Sequence, residues 1–170
     1  LIFGVKRDVT TEHEGEVSTI LHDEISEGDM INLSAPVGGF SIENTERPQL
    51  FIGSGVGMTP LVSMFKKAAS LNVPTQMIQA VVTEDERPFA QKLDSITANH
   101  EQAQLHLHVK DKEGYLEAKE LEQYLSEQPE IYICGGTNFL HSIINSLKEL
   151  NYDMNHVHFE TFIPRLSVQV

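Results

Sequence analysis

Tryptophan is missing from these 170 residues, Cys134 is the only cysteine, and 12 lysines and arginines face 25 aspartates and glutamates. A single thiol cannot close an intrachain disulfide, so a reducing, cytoplasmic setting is expected. The formal charge of -13 repels polyanions, which argues against nucleic acid and anionic membranes as partners. It does not forbid a phosphorylated cofactor, because local amides can hold one inside an acidic protein. No apolar stretch approaches the ~20 residues of a membrane-spanning helix, and no signal peptide is visible. A 40% hydrophobic share is enough for a core, and the length suits one α/β domain or one domain with part of another. The chain opens at Leu1 inside a strand-like run, which predicts a fragment.

The organisation changes near Arg47-Pro48. Residues 1–6, 30–35 and 40–42 read as strands separated by turn chemistry, with one short helix over 17–22. After Pro48 strands and helices alternate. Strands are predicted at 49–53, 75–82, 104–109, 130–134 and 157–162. Helices are predicted at 60–71, 89–99, 118–125 and 138–150. The last of these places Phe139, Leu140, Ile143, Ile144, Leu147 and Leu150 at helical spacing on one apolar face. Regular alternation implies an α/β fold, a five-stranded parallel doubly wound sheet with right-handed crossovers. The expected domain division is 1–46 and 47–170.

In such a sheet ligands sit beyond the carboxyl ends of the strands, where strand order reverses. The apolar run Leu50-Phe51-Ile52 leads into Gly53, Gly55 and Gly57, a G-x-G-x-G pattern that strips alternate side chains from the backbone. Thr59 suits an N-cap and Pro60 a first helical position. Unpaired amides and a positive dipole end would then face an anion such as a pyrophosphate. An ordinary tight strand-to-helix turn would look the same. On the first reading, Gly57→Val should abolish nucleotide binding and leave the fold intact. A second strand, Ile131-Tyr132-Ile133, ends in Cys134-Gly135-Gly136. Cys134 alone reads equally as a small buried hydrophobe.

Together GSGVGMTP at 53–60, CGGTNFL at 134–140 and HFETF at 158–162 resemble the ferredoxin-reductase-like flavoprotein reductases, most closely the reductase half of flavohaemoglobins, the nitric oxide dioxygenases. The upstream strings GEVSTILH at 15–22 and LSAPVGGF at 33–40 match the same family, so the resemblance covers nearly the whole chain. It implies hydride transfer from NAD(P)H to FAD, and that residues 1–46 are the end of an incomplete FAD-binding antiparallel β-barrel. Gly53, Gly55, Val56, Gly57, Met58, Thr59 and Pro60 would hold the dinucleotide pyrophosphate and place the nicotinamide. Cys134, Gly135 and Gly136 would lie beside the nicotinamide, and Glu160 and Phe162 against the flavin, with Cys134 and Glu160 nearest the chemistry. Gly15, Val17 and Ser18 would offer helix amides to the FAD pyrophosphate. Haem would belong only to a longer parent, and electrons would pass to haem or an iron–sulfur centre there or in a partner.

Three features depart from the family pattern. Its R-x-Y-S segment is absent before Leu1, so the chain alone should bind FAD weakly or not at all. Gly136 stands where the family has proline, and Ile163 where it has glycine. A stand-alone flavin or ferredoxin reductase, or a nucleotide-binding fragment without turnover, are the alternatives.

The remaining motifs are weaker. His106/His108 and His156/His158 alternate along strands and could ligate a metal or simply occupy one strand face; no metal centre is expected. Glu84-Asp85-Glu86 follows the second strand, where a carboxylate would accept from a ribose 2′-hydroxyl and repel a 2′-phosphate, favouring NADH; a solvated loop reads the same. Ser18, Ser34 and Ser54 lack triad partners, and the acidic stretch 117–127 reads as a solvated face.

Overall fold

The runs 50–52, 77–78 and 131–133 are apolar at consecutive positions, as in strands covered on both faces. The computed structural model describes residues 3–7, 15–35, 37–71 and 73–161. These form two units, Leu1–Gly39 and Phe40–Val170.

The second unit is a five-stranded, all-parallel sheet: β1 (Gln49–Ser54), β2 (Thr75–Val81), β3 (Ala103–Val109), β4 (Glu130–Gly135) and β5 (Val157–Thr161). The order is β3-β2-β1-β4-β5, so β1 is central and the direction of winding reverses between β1 and β4. Alternate side chains feed two cores. Phe51, Met77, Tyr132 and Cys134 meet α2 (Met58–Ala69) and α3 (Ala90–Asn99) on one face. Leu50, Ile52, Ile78, Ile131 and Ile133 meet α5 (Ala118–Leu121) and α6 (Thr137–Glu149) on the other. Each fully buried large side chain contributes about 2 kcal/mol. In α6 the predicted stripe is present: Leu140, Ile143 and Leu147 are buried. A four-residue helix, α4 (Lys110–Glu113), follows β3. The helix foreseen over 118–125 is shorter and continues as a 3-10 turn at Glu122–Tyr124.

Residues 40–46, read from sequence with the front segment, belong to this unit. Phe40 meets Tyr132 edge-on at 6.2 Å, and the Glu43 N–H donates to the Tyr132 hydroxyl at 3.0 Å.

The first unit holds α1 (Glu16–Asp23), close to its expected bounds. Arg7 grips the Asp23 carboxylate with both terminal nitrogens, and this hydrogen-bonded guanidinium holds the Asp23 pKa below its usual value. The strands expected at 1–6, 30–35 and 40–42 are not strands among the described residues. A strand exists through its ladder, and apolar alternation alone does not supply the partner. Met30 is fully exposed and Leu33 is 53% exposed, as befits side chains without a covering sheet.

Candidate functional site

The two glycine-bearing strand ends are neighbours. Gly53 of β1 pairs with Cys134 of β4 at the point where strand order reverses. A 3-10 turn, Gly55–Gly57, then carries the chain directly into α2. The start of α2 therefore lies two residues earlier than the capping pattern predicted. Thr59 is not the cap: it sits inside the first turn, where its hydroxyl donates to the Val56 carbonyl at 2.8 Å. Pro60 still falls among the early helix positions that need no amide partner. Met58 is wholly buried in the core, so it meets solvent with no side-chain atom, and its N–H is spent on the carbonyls of Gly55 and Val56.

The glycines divide by what surrounds them. A Cβ on Gly53 would stand 2.5 Å from the Met58 sulfur and 2.7 Å from Leu61. One on Gly57 would overlap the backbone of Cys134 and Gly135, and one on Gly135 would reach 2.6 Å from the Phe139 ring. These three let backbone and core close up. Gly55, at φ +54°, and Gly136 have open space where a Cβ would be. The expectation that Gly57→Val would spare the fold is thus overturned: that side chain meets β4, not the space above the turn.

Two helix N-termini flank the crevice, α2 after β1 and α6 after β4, and neither has an acidic residue in its first turn. In a chain of net charge -13 that leaves two positive dipole ends undiminished beside open glycines. An anion fits there. In the first unit Gly15 precedes α1, Val17 is 70% exposed and the Ser18 hydroxyl turns back onto the Gly15 carbonyl at 2.9 Å. Glu16 occupies that first turn, so this helix end is less welcoming to an anion.

Cys134 has no exposed surface. Burial, reinforced by the Glu160 carboxylate and opposed by the Gly135 amide, pushes its thiol up to about 12. It is a neutral thiol throughout the physiological range and cannot serve as a thiolate nucleophile. Glu160 lies directly across the ladder from Cys134 and is exposed. Phe162 lies outside the described residues.

The histidine pairs lie at the two edges of the sheet, His106 and His108 on β3 and His156 and His158 at the start of β5 (His156 in the turn just before it), and have other partners. His106 contacts Gln76 at 3.2 Å, and desolvation lowers its pKa. His108 is buried against the Gly114 carbonyl at 3.0 Å. His156 Nδ1 and His158 Nε2 lie 2.8 and 2.9 Å from the two oxygens of Glu130. No group of three or more potential ligands forms among the described residues. Sequence reasoning passed over Glu130, a buried carboxylate opening an otherwise apolar strand; the alternating histidines of β5 were the signal to its partners. It also passed over a cleft of about 520 Å³ beyond the ends of β1, β2 and β3, lined in part by Ser54, Val82, His108, Tyr115 and Phe139.

A parallel sheet of this order, with a glycine turn and a helix start at its reversal point, defines a dinucleotide-binding α/β domain. The oxidoreductase NAD-binding domain family matches residues 51–144, more than half of the chain, and the chain belongs to that family. It is similar to a flavohemoprotein of Bacillus cereus, 30% identical over 172 residues, covering 92% of this chain and 43% of the relative. A flavohemoprotein of Pseudomonas aeruginosa is 28% identical over 170 residues, with 94% and 43% covered. The chain therefore spans less than half the length of these relatives. Among solved structures, the flavohem-like FAD/NAD-binding domain of nitric oxide dioxygenase from Vibrio cholerae O1 biovar El Tor superposes with a TM-score of 0.82 at 28% identity, covering 94% of this chain and 70% of that one. No described helix is long and apolar enough to cross a membrane.

Proposed function

We propose that this chain is the nicotinamide-dinucleotide half of a flavin reductase that passes hydride from NAD(P)H to FAD, as the reductase part of a flavohaemoglobin-like nitric oxide dioxygenase. The observation that carries the reading is the pairing of Gly53 with Cys134, which sets the glycine turn and the Cys-Gly-Gly strand end side by side. The open space at Gly55 and Gly136, between two helix starts free of acid, suits a pyrophosphate. When bound, the nicotinamide and flavin supply the redox chemistry. The chain's own part is to bind and orient. The amides around Gly55 and Val56 and the α2 start hold the phosphates. Buried Cys134 forms a neutral wall next to Gly135 and Gly136, and Glu160 stands opposite it on β5. Gly15, Val17, Ser18 and Phe162 are assigned to the flavin side by family likeness. Beyond flavin, the acceptor is haem or an iron–sulfur centre in a longer parent or partner, in the cytoplasm.

A nucleotide-binding module without turnover is the second reading, favoured by the absence of strands among the described residues of 1–39. Purified chain should be titrated with NADH and its visible spectrum taken. Yellow protein that reduces an artificial acceptor supports the reductase; colourless protein that binds NADH supports the module; no nucleotide binding overturns both. A variant isolates the loop. Gly55→Val puts a side chain into the open space and forces a β-branched residue to φ +54°. It should lower stability by about 1–2 kcal/mol and NADH affinity by roughly tenfold or more. Calorimetric titration with NADH and a urea melt separate the two effects.

A further inference from the structure

The two strands that end in Cys134 and Glu160 are tied together at their starts, on the far side of the sheet from the crevice. Glu130 opens β4, and His158 stands near the start of β5. In the ladder Tyr132 faces His158 and Cys134 faces Glu160, so His158 and Glu160 share one face of β5. His158 Nε2 lies 2.9 Å from one oxygen of the buried Glu130 carboxylate. His156, in the 3-10 turn Met154–His156, puts Nδ1 2.8 Å from the other.

The two rings differ in what their second nitrogen meets. An ionised carboxylate only accepts, so the nitrogen facing Glu130 is an N–H in both rings. His156 Nε2 lies 3.0 Å from Arg47 Nη1, which is a donor, and must accept from it. A second proton on His156 requires Arg47 to let go and Asp153, 3.8 Å away, to take its place. His158 Nδ1 faces a carboxylate instead, Glu43 Oε1 at 3.7 Å. Glu43 is fixed there by its own N–H, which donates to the Tyr132 hydroxyl at 3.0 Å. The Tyr132 ring in turn stacks on His158, with centroids 4.8 Å apart. Arg47 supplies the opposing charge, but its nitrogens are turned to His156, Glu130 and the Gln128 carbonyl. Two carboxylates and an aromatic face therefore surround His158, with Glu160 two residues along the same face, a setting for an imidazolium.

We propose that His158 is a positioning residue of the redox site: as an imidazolium it clamps the start of β5 between Glu130 and Glu43, and the strand so held presents Glu160 opposite Cys134. The consequence for the reaction rests on the dinucleotide–flavin reading above, which the clamp deepens by naming what fixes Glu160.

Amide hydrogen exchange of the full chain, followed by NMR, reads the clamp as the opening of β5 from β4. His158→Gln keeps an N–H for Glu130 and loses the charge. At about pH 5.5 the β5 amides bonded to β4 should exchange about tenfold faster than in wild type, the scale of one charge-assisted hydrogen bond made neutral. The ratio should fall toward one by about pH 8, where wild-type His158 has given up the same charge. Amides shared by β2 and β3 should not change. A ratio that is constant with pH overturns the assignment, because lost packing against Tyr132 would give that result. Equal acceleration in both ladders overturns it too, as general destabilisation. Imidazole 15N shifts of the wild-type chain test the point without a variant. His158 should show two protonated nitrogens at about pH 5.5 and only Nε2–H at about pH 8; a neutral ring at the lower pH overturns the clamp. Both measurements are made without nucleotide, so their failure leaves the dinucleotide reading standing. Chain that binds no NADH overturns that reading and leaves the clamp on β5 intact.

Discussion

Gly57→Ala should destabilise the second unit by about 3 kcal/mol, at or beyond the upper end of ordinary overpacking costs. The reason is local. Gly57 is buried, and a Cβ there overlaps the carbonyl group of Cys134 and the nitrogen of Gly135. Those atoms are backbone of β4, a strand hydrogen-bonded on both sides by β1 and β5, so they cannot swing aside as a side-chain tip can. Relief requires moving the 3-10 turn and the α2 start away from the strand. That in turn uncovers Met58, Leu61 and Phe65, which have no exposed surface in the native packing. Urea denaturation followed by circular dichroism reads the effect as a lower midpoint at unchanged slope. A wild-type midpoint for Gly57→Ala would mean that the turn does not lie against β4. Gly136→Ala, with open space at its Cβ, is the matched control and should stay within about 1 kcal/mol of wild type.

The contrast between Gly57 and Gly55 also marks where sequence reading stopped. Strand and helix order was legible because local patterns determine it. Short apolar runs such as 50–52 and 131–133, closed off by glycines, match buried strands, and the stripe through Leu140, Ile143 and Leu147 matches one helix face. Which glycine faces a ligand is not a local property. Spacing says that side chains are missing at 53, 55 and 57, but only the neighbouring strand decides that the Cβ direction of Gly57 points into β4. Thr59 failed as a cap for a related reason: the 3-10 turn at Gly55–Gly57 runs straight into α2, so the helix has already begun when Thr59 is reached, and its hydroxyl donates back to the Val56 carbonyl. The front segment misled because alternation in residues 30–35 resembles a strand, while a ladder depends on a partner that the pattern does not contain.

The second large effect is expected at Glu130, at the amino end of β4 and so on the opposite side of the sheet from the crevice. Its carboxylate is buried, with side-chain exposure of 4%, and is met by His156 and His158 from β5's leading edge and by Arg47, whose Nε lies 3.6 Å away. Burial on its own would raise the Glu130 pKa, but hydrogen bonds from His158 and His156 and their charge outweigh it and leave it below the usual 4.5. A carboxyl whose folded pKa is depressed adds stability that is fully present above its unfolded pKa and lost as pH falls through the folded value. Asp153, 3.8 Å from His156, and Glu43, 3.7 Å from His158, face the same histidines and share their charge without replacing the buried carboxylate. Glu130→Ala should therefore cost about 3 kcal/mol at neutral pH, because it strips a buried polar cluster of its common acceptor. The difference from wild type should shrink as pH is lowered below about 4.5, where protonation disarms the native carboxyl as well. Urea midpoints of the two proteins across this range test it. A gap that stays constant with pH would show that the loss is one of packing, and that no charge at Glu130 ties β5 to β4.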